Sequence, residues 1–281
     1  MKTIAKSKPV SSIKIARQYI ASKNLSKNYT TNLLTTAKNC KYLTTECINK
    51  YLKDRLQQVD TATAKSNRTL ILILCKWAYE NDILEHLPKN VLKIKVKRKP
   101  TKAWTLEECK MLVFKTYELD NQKTRKGVSL GLFLRVWILL AYESGARFGD
   151  VFGFKLEDLD KNILRWTQSK TGDPLTKILS DKLVENIQQI VSHKSYKEHY
   201  TILGWIVKKR QAFRIMKKFL QECGLSGSGK FLRRSGATHL ENKTPGSAKL
   251  HLGHRTNGLA EKHYIDYSQI ERSIPVVPSL F

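Results

Sequence analysis

Residues 230–240, KFLRRSGATHL, place a pair of arginines at the start of a predicted helix, and the rest of the chain is interpreted around this stretch. Leu252-Gly-His254 follows as a predicted turn, and Tyr264 comes ten residues after that histidine. Upstream, Ser144-Gly-Ala-Arg147 adds an arginine and Ser169-Lys170-Thr-Gly172 adds a lysine. Two arginines, a lysine, a histidine and a tyrosine are residue types suited to attack on a phosphodiester without a metal ion.

The charge of the whole chain indicates a polyanionic partner. The 281 residues include 51 Lys and Arg against 24 Asp and Glu, a formal net charge of +27. Each phosphate that a basic side chain neutralises releases counterions, so this excess favours nucleic acid. A ribosomal-type protein and a membrane-surface binder are the alternatives that charge alone leaves. No amphipathic stretch with a clean Trp and Leu face supports the membrane alternative.

Several classes of protein are disfavoured by composition and by missing motifs. The five cysteines are odd in number and include no CxxC pair, so neither a disulfide framework nor a zinc site is predicted, and a reducing cytosol is expected. The longest apolar runs are too short to span a bilayer, and no signal peptide is predicted. The sequence has no Walker motif, HExxH, GxSxG or acidic cluster for two metals, which disfavours ordinary nucleases, ATPases and hydrolases.

Residues 1–87 predict a small helical module, because apolar side chains recur there at helical spacing. Helices are predicted over 11–21, from Tyr29, from Thr44, and from Thr63 to Asn81. The first hundred residues hold 21 Lys and Arg and six Asp and Glu, so they are the more basic part of the chain per residue. The hydrophobic pattern alone is typical of any helical bundle. The excess of basic residues favours a bundle that binds DNA.

Residues 88–102, PKNVLKIKVKRKPTK, are the predicted linker between two domains. Two prolines bound a basic run, and residues 91–97 alternate apolar and charged side chains. A solvated connector has this composition. A basic linker that lies against the phosphate backbone also has it, and this second interpretation is favoured.

Residues 103–281 predict a second domain of helices with one β-hairpin. Thr105 and Glu108 form a capping-box pattern that begins a helix to about residue 117. A helix over residues 129–144 is apolar nearly all round and predicts burial, and residues 162–177 have the pattern of strand, turn and strand. Further helices are predicted from Gly149 and over 183–191, 208–223, 231–240, 245–252 and 259–267. The predicted fold class is mostly α with a small β component, α+β.

The motifs, taken in this order, resemble those of the tyrosine recombinases, the phage-type integrases. The resemblance covers roughly residues 10–270, and its motifs are dense only from about 135 to 267. It implies an N-terminal helical core-binding (SAM-like) domain and a tyrosine-recombinase catalytic domain. It also implies a site-specific recombinase from a mobile genetic element, which cleaves and rejoins DNA strands through a covalent 3′-phosphotyrosyl intermediate and a Holliday junction. Metal ions, ATP and other cofactors are not expected to take part.

The resemblance implies a cluster of cations for the reacting phosphate. Arg147 and Arg233 stand where the family keeps its arginine clamp, and the spacing from Lys230 favours Arg233 over Arg234. Lys230 occupies a position that commonly holds histidine, and it can still donate to a phosphate. Asp150 resembles the acidic residue that follows the first arginine, with an expected structural role in orienting Arg147 or capping a helix.

The resemblance also implies the nucleophile and the groups that assist it. Tyr264 is the expected nucleophile, and Tyr267, three residues further on, is the alternative. Lys170, at the tip of the predicted hairpin, is expected to protonate the leaving 5′-oxygen. His254 is expected to hydrogen-bond a non-bridging oxygen of the phosphate.

The expected partners are double-stranded DNA with specific recognition sites, three further protomers in a tetramer, and accessory DNA-bending factors, in the cytoplasm at the nucleoid and with no membrane. The apolar tail, residues 273–281, is predicted to dock either on a neighbouring subunit or on its own domain. Three alternatives remain for the function: a type IB topoisomerase-like enzyme, a catalytically inactive architectural DNA-binding protein, and a generic RNA-binding protein.

Overall fold

Polar side chains at the helix starts account for where several helices of this protein begin. The computed structural model describes residues 9–97, 100–254 and 258–270. Thr44 Oγ1 accepts a hydrogen bond of 3.3 Å from the Cys47 amide. Thr105 and Glu108 form the predicted capping box, in which each side chain accepts from the other residue's amide. Such caps satisfy amide groups that the first turn of a helix leaves without partners.

Residues 1–99 form one unit of the chain, and its described part is a bundle of four helices. These are α1 Ser12–Ala21, α2 Lys27–Asn39, α3 Thr45–Gln58 and α4 Thr61–Glu80. Helix α4 packs against the other three, and its Ile71, Leu74 and Ala78 are completely buried. A bundle is stable when each amphipathic helix buries its apolar face in this way. The four helices predicted from hydrophobic spacing are confirmed.

The described part of the predicted linker, residues 88–97, packs onto the helices of its own unit. Val91 and Ile94 are buried in the bundle core. The Leu92 carbonyl accepts a hydrogen bond of 2.7 Å from Arg68 Nε, and the Leu92 amide donates one of 2.7 Å to Asn49 Oδ1. Residues 91–97 are not in a strand. The division into domains at 1–87 and 103–281 with a linker at 88–102 stays a prediction.

Residues 100–281 form the other unit, and a buried helix, α6, lies in its core. Its elements are α5 Leu106–Tyr117, α6 Leu130–Glu143, α7 Phe148–Val151, β1 Leu159–Asp160, β2 Ile163–Thr167, β3 Pro174–Ile178, α8 Asp181–Val191, α9 Lys209–Glu222, α10 Lys230–Lys243, α11 Ser247–Leu252 and α12 Leu259–His263, with 3-10 turns at Leu156–Asp158 and Tyr267–Gln269. Helix α6 contacts α5, α8 and α10. The predicted fold class, mostly α with a small β component, is confirmed. No helix among the described residues is long and apolar enough to cross a membrane.

One charged residue, Arg135, is buried within the largely apolar α6. It is 4% exposed and donates to both carboxylate oxygens of Asp120, at 3.1 and 3.2 Å. It also donates to Thr116 Oγ1 and Asn186 Oδ1, and its guanidinium lies 3.7 Å from the centre of the Tyr117 ring. A buried guanidinium is tolerated only when it is paired and hydrogen-bonded in this way. Arg135 is therefore the exception to a helix predicted to be apolar nearly all round.

The described strands form an antiparallel sheet in the order β1-β2-β3. Trp166 pairs with Leu175 in the β2–β3 hairpin, which confirms the predicted strand, turn and strand. Gly172, in the turn, has a φ of +70°, a backbone conformation that favours glycine. The two-residue β1 was not predicted, because it is too short to show an alternating pattern.

The helix predicted over residues 259–267 is shorter than the sequence suggests. It ends at His263, and Tyr264 follows with a φ of −127°. The chain turns there to bond to α10, since the Asp266 amide donates to Thr238 Oγ1 at 3.0 Å and Thr238 Oγ1 donates to the Tyr264 carbonyl at 3.4 Å. Tyr264 and Tyr267 therefore do not share one helix. The predicted docking of residues 273–281 lies outside the described residues.

Candidate active site

A cleft of ≈ 600 Å³ in the unit formed by residues 100–281 brings together four of the six predicted site residues. Arg147, Lys170, His254 and Tyr264 all line it, although 117 positions separate the first from the last. The other lining residues are Thr171, Asp173, Gly253, Leu259 and His263. Three parts of the chain supply the four predicted side chains: the α6–α7 turn, the hairpin, and the segment from the end of α11 to the residue after α12.

Arg147 follows a turn that only glycine can make. Gly145 has a φ of +61°, and a Cβ there would lie 2.6 Å from His251 Nε2. This turn ends α6 and directs Arg147 into the cleft, where its Nη1 donates to Gln168 Oε1. The partner is a neutral amide, so the positive charge of Arg147 is not cancelled by this contact.

Arg233 is buried on α10 beside the proposed nucleophile. It is 5% exposed and donates to the Gly145 carbonyl and, at 3.1 Å, to the Leu252 carbonyl. Its guanidinium carbon lies 4.9 Å from the centre of the Tyr264 ring. Burial, together with the charge of Arg147, lowers the pKa of Arg233 to about 10, while Tyr264 acts in the opposite direction. The guanidinium therefore stays charged at neutral pH.

The two neighbouring arginines of α10 point to different surroundings. Successive residues of a helix are about 100° apart around its axis. Arg233 faces Tyr264, whereas the guanidinium of Arg234 lies over the Phe231 ring, 5.3 Å from its centre. Arg233 is therefore the arginine of this pair that lies beside Tyr264, and its role at the phosphate stays a prediction.

Tyr264 and His254 face each other, with ring centroids 5.0 Å apart. His254 follows Gly253, whose φ is +63° and whose Cβ, if present, would lie 2.5 Å from Gln168 Nε2. Glycine is therefore required by both the backbone conformation and the close approach of Gln168. Tyr267, which is 52% exposed, is not among the residues that line the cleft.

The tip of the hairpin is tied to α7 by Asp150. Asp150 Oδ1 accepts hydrogen bonds from the Ser169 amide at 3.1 Å and from Ser169 Oγ at 2.6 Å. Lys170 comes next and lines the cleft. The buried carboxylate of Asp150 therefore positions the turn that carries Lys170. These contacts differ from the two roles expected for Asp150, which were to orient Arg147 or to cap a helix.

Two of the six predicted site residues do not line the cleft: Arg233, which is buried beside the Tyr264 ring, and Lys230. Lys230 is the first residue of α10 and is exposed. It is also absent from the residues that line the cleft. A role for Lys230 at the phosphate stays a prediction.

Three residues near the site were not predicted. Gln168 is 1% exposed, and its Nε2 donates to the Gly253 carbonyl at 3.2 Å. Burial lowers the pKa of His251 to about 3, with the positive charges of Lys177 and Arg233 adding to the effect, so this imidazole is neutral. Burial and Arg233 also lower the pKa of Lys177, whose Nζ donates to the Leu250 carbonyl at 2.9 Å. His251 was readable from its place next to the Leu-Gly-His motif, but nothing in the sequence pointed to Gln168.

The comparisons with known proteins identify the family. Residues 114–269 match the model of the phage integrase family, and no curated protein matches the sequence. A lambda integrase dimer bound to a COC′ core site has a TM-score of 0.75 at 18% identity, over 96% of this chain and 81% of that chain. A lambda integrase tetramer bound to a Holliday junction has a TM-score of 0.71 at 19% identity, over 96% and 81%.

A third solved structure has the same fold at lower identity. The Tn1549 transposon integrase (residues 82–397) in complex with circular intermediate DNA has a TM-score of 0.66 at 12% identity, over 90% of this chain and 95% of that chain. At these identities the likeness concerns the fold, while the family model spans more than half of the 281 residues. The chain therefore belongs to the phage integrase family, the tyrosine recombinases that its motifs resemble.

Proposed function

We propose that this protein is a site-specific recombinase that cleaves and rejoins double-stranded DNA through a covalent 3′-phosphotyrosyl intermediate. The observation that carries the proposal is the arrangement around one cleft: Arg147, Lys170 and His254 line it with Tyr264, and Arg233 is buried against the Tyr264 ring. A nucleophile surrounded by fixed cations is what phosphoryl transfer requires, because negative charge accumulates on the phosphate oxygens in the transition state.

The cleavage step uses each of these groups once. Tyr264 reacts as its phenolate, after its proton has passed to solvent. The phenolate oxygen attacks the phosphorus, the bond to the 5′-oxygen breaks, and Lys170 gives its proton to that oxygen as it leaves. Arg147, Arg233 and His254 stabilise the non-bridging oxygens. A free phenol has a pKa of about 10, so the nucleophile depends on nearby positive charge.

Rejoining reverses the cleavage step with a new partner strand. The 5′-hydroxyl attacks the phosphotyrosyl bond, Tyr264 leaves, and Lys170 takes the proton back. The energy of the phosphodiester is kept in the covalent intermediate, so neither ATP nor a metal ion is required for the exchange. The roles given to all of these side chains, and the weaker one given to Lys230, belong to this proposal.

The surface charge and the structural relatives support DNA as the partner. Three basic residues of α9, namely Arg210, Arg214 and Lys217, are exposed, which leaves them available to phosphates. Because the similar lambda integrase forms a tetramer on a Holliday junction, we propose four protomers on two recognition sites for this protein. Accessory DNA-bending factors and a cytoplasmic, nucleoid-associated location belong to the same proposal.

The decisive experiment traps the covalent intermediate. A duplex is selected from randomised DNA by its binding to the full chain, and nicks are placed at staggered positions so that a short fragment diffuses away after cleavage. Wild type, Tyr264→Phe and Tyr267→Phe are incubated with it in EDTA. We expect a covalent adduct with wild type and with Tyr267→Phe, and none with Tyr264→Phe.

The other outcomes separate the alternatives. An adduct lost only in Tyr267→Phe would keep the reaction and change the nucleophile. Tight binding with no adduct for any protein would overturn the proposal in favour of an architectural DNA-binding protein. An adduct that relaxes supercoils but never joins a partner strand would indicate a topoisomerase.

A further inference from the structure

We propose that Gln168 is a positioning residue that fixes Arg147, His254 and the Lys170 turn relative to one another. The inference rests on the proposed function, since it concerns the geometry of that site. Gln168 is the first residue after β2 and is 1% exposed. Its side chain makes two hydrogen bonds to parts of the chain that are distant in sequence.

The two ends of the Gln168 amide bind different elements. Oε1 accepts from Arg147 Nη1, which lies 21 positions earlier, in the turn after α6. Nε2 donates to the Gly253 carbonyl at 3.2 Å, 85 positions later, directly before His254. A displacement of Gln168 would therefore disturb the arginine and the turn that carries the histidine together.

The backbone of Gln168 closes the turn that carries Lys170. Its amide donates to the Asp173 carbonyl at 2.8 Å, and its carbonyl accepts from the Gly172 amide at 2.9 Å. Lys170 lies inside this loop. Gln168 therefore binds Arg147 directly, the carbonyl of the residue before His254, and the turn that carries Lys170. The proposed reaction uses all three of these side chains.

The chemistry of the two contacts selects a neutral amide. The Arg147 contact needs an acceptor and the Gly253 contact needs a donor, which a carboxamide supplies at its two ends. A carboxylate would accept from Arg147 but would cancel its charge and would face the Gly253 carbonyl without a proton to donate. A leucine of similar size would make neither bond. Only the amide holds Arg147 while leaving its charge for the phosphate.

The test measures single-turnover cleavage at saturating protein on the selected nicked duplex. Gln168→Leu is expected to cleave about 10²-fold more slowly than wild type, as a misplacement of catalytic groups by about 1 Å does. Its affinity for the duplex should stay within about two-fold, because Gln168 is buried and presents no charge to DNA. Gln189→Leu, the same change at an exposed residue of α8, should cleave as wild type does.

A second substrate separates positioning from packing. A methylphosphonate at the cleavage position replaces one charged non-bridging oxygen with a neutral methyl group, so the arginine that serves this oxygen is no longer needed. The two diastereomers are tested separately with Arg147→Ala. On the diastereomer that restores Arg147→Ala, we expect the defect of Gln168→Leu to shrink from about 10²-fold to about 10-fold or less.

The outcomes that overturn the inference are distinct from those that overturn the function. Cleavage by Gln168→Leu within two-fold of wild type, or an equal loss on the phosphodiester and both methylphosphonates, would reduce Gln168 to a packing residue. If Gln168→Leu does not fold, Gln168→Met keeps the length of the side chain without either hydrogen bond and must show the same loss and the same recovery. Absence of any adduct with wild type would overturn the proposed function, and this inference with it.

Discussion

The two units of this protein differ in what they bury. Among the described residues, the buried polar side chains of 1–99 are Ser12 and Thr36, whereas those of 100–281 are thirteen polar or charged side chains, among them Arg135 and Arg233. Burying such groups costs free energy unless each finds partners, so they must be held by specific hydrogen bonds. The first unit can be built from hydrophobic spacing alone and carries its charge outside. The second depends on a buried polar framework that supports its cleft.

The largest effect should come from a buried cation at the cleft. Arg233→Lys is expected to slow covalent adduct formation by about 10³-fold, because a lysine cannot reproduce two directed hydrogen bonds from one planar group. Arg234→Lys, whose guanidinium lies over Phe231, should stay close to wild type. Adduct formation on the nicked duplex measures both. Equal losses for Arg233→Lys and Arg234→Lys would mean that adduct formation does not depend on the buried position of Arg233.

The apolar core of the first unit should respond next. Leu74→Ala removes a completely buried side chain of α4 and should lower the free energy of unfolding of residues 9–97 by about 3 kcal/mol. Leu87→Ala, at a side chain 44% exposed, is the matched control and should change little. Hydrogen exchange followed by mass spectrometry reports each unit separately. A similar loss for both variants would contradict a core built from hydrophobic spacing.

A half-buried ion pair of the second unit, Arg135 with Asp120, should have a smaller effect. Asp120→Ala leaves Arg135 without its carboxylate and should lower the local free energy of unfolding by about 2 kcal/mol, less than for a fully buried pair because the Asp120 side chain is 38% exposed. Asp160→Ala breaks the exposed pair with Arg165 and should cost at most about 0.5 kcal/mol. Hydrogen exchange across α6 is the readout. If the two substitutions cost the same, the polar framework does not stabilise this unit.

The smallest expected effect is a dependence on pH. The pKa of His251, lowered to about 3 by burial and by Lys177 and Arg233, lies below that of the unfolded chain. The unfolded chain therefore binds the proton more readily, and the free energy of unfolding should fall as the pH drops below about 6.5, by about 1 kcal/mol per pH unit. His251→Leu should remove this part of the slope. His86→Leu, at an exposed histidine, should keep it. Urea unfolding at pH 7, 6 and 5 checks the difference, and parallel slopes for wild type and His251→Leu would contradict it.

Hydrophobic spacing and capping patterns were enough to predict most of the helices. The apolar face of α4 and the capping box at Thr105 are local features, so residues close in sequence determine them. The prediction that α12 extends to residue 267 was wrong. Thr238, on another helix, forms hydrogen bonds with the chain after His263 and holds it in a turn. A hydrogen bond between residues distant in sequence adds no hydrophobic periodicity at either position, so residue spacing cannot predict it.

By itself the sequence determined the positions of the helices, the hairpin and the order of the motifs, from which the family follows. Spacing and the family resemblance already favoured Arg233 and Tyr264. Only the tertiary structure shows that Arg233 lies beside the Tyr264 ring and that Tyr264 lines the cleft. It alone revealed Gln168, which joins Arg147 to Gly253. The reason is physical: periodicity reports which side of an element is apolar, whereas a site depends on which polar side chains meet when separate elements pack together.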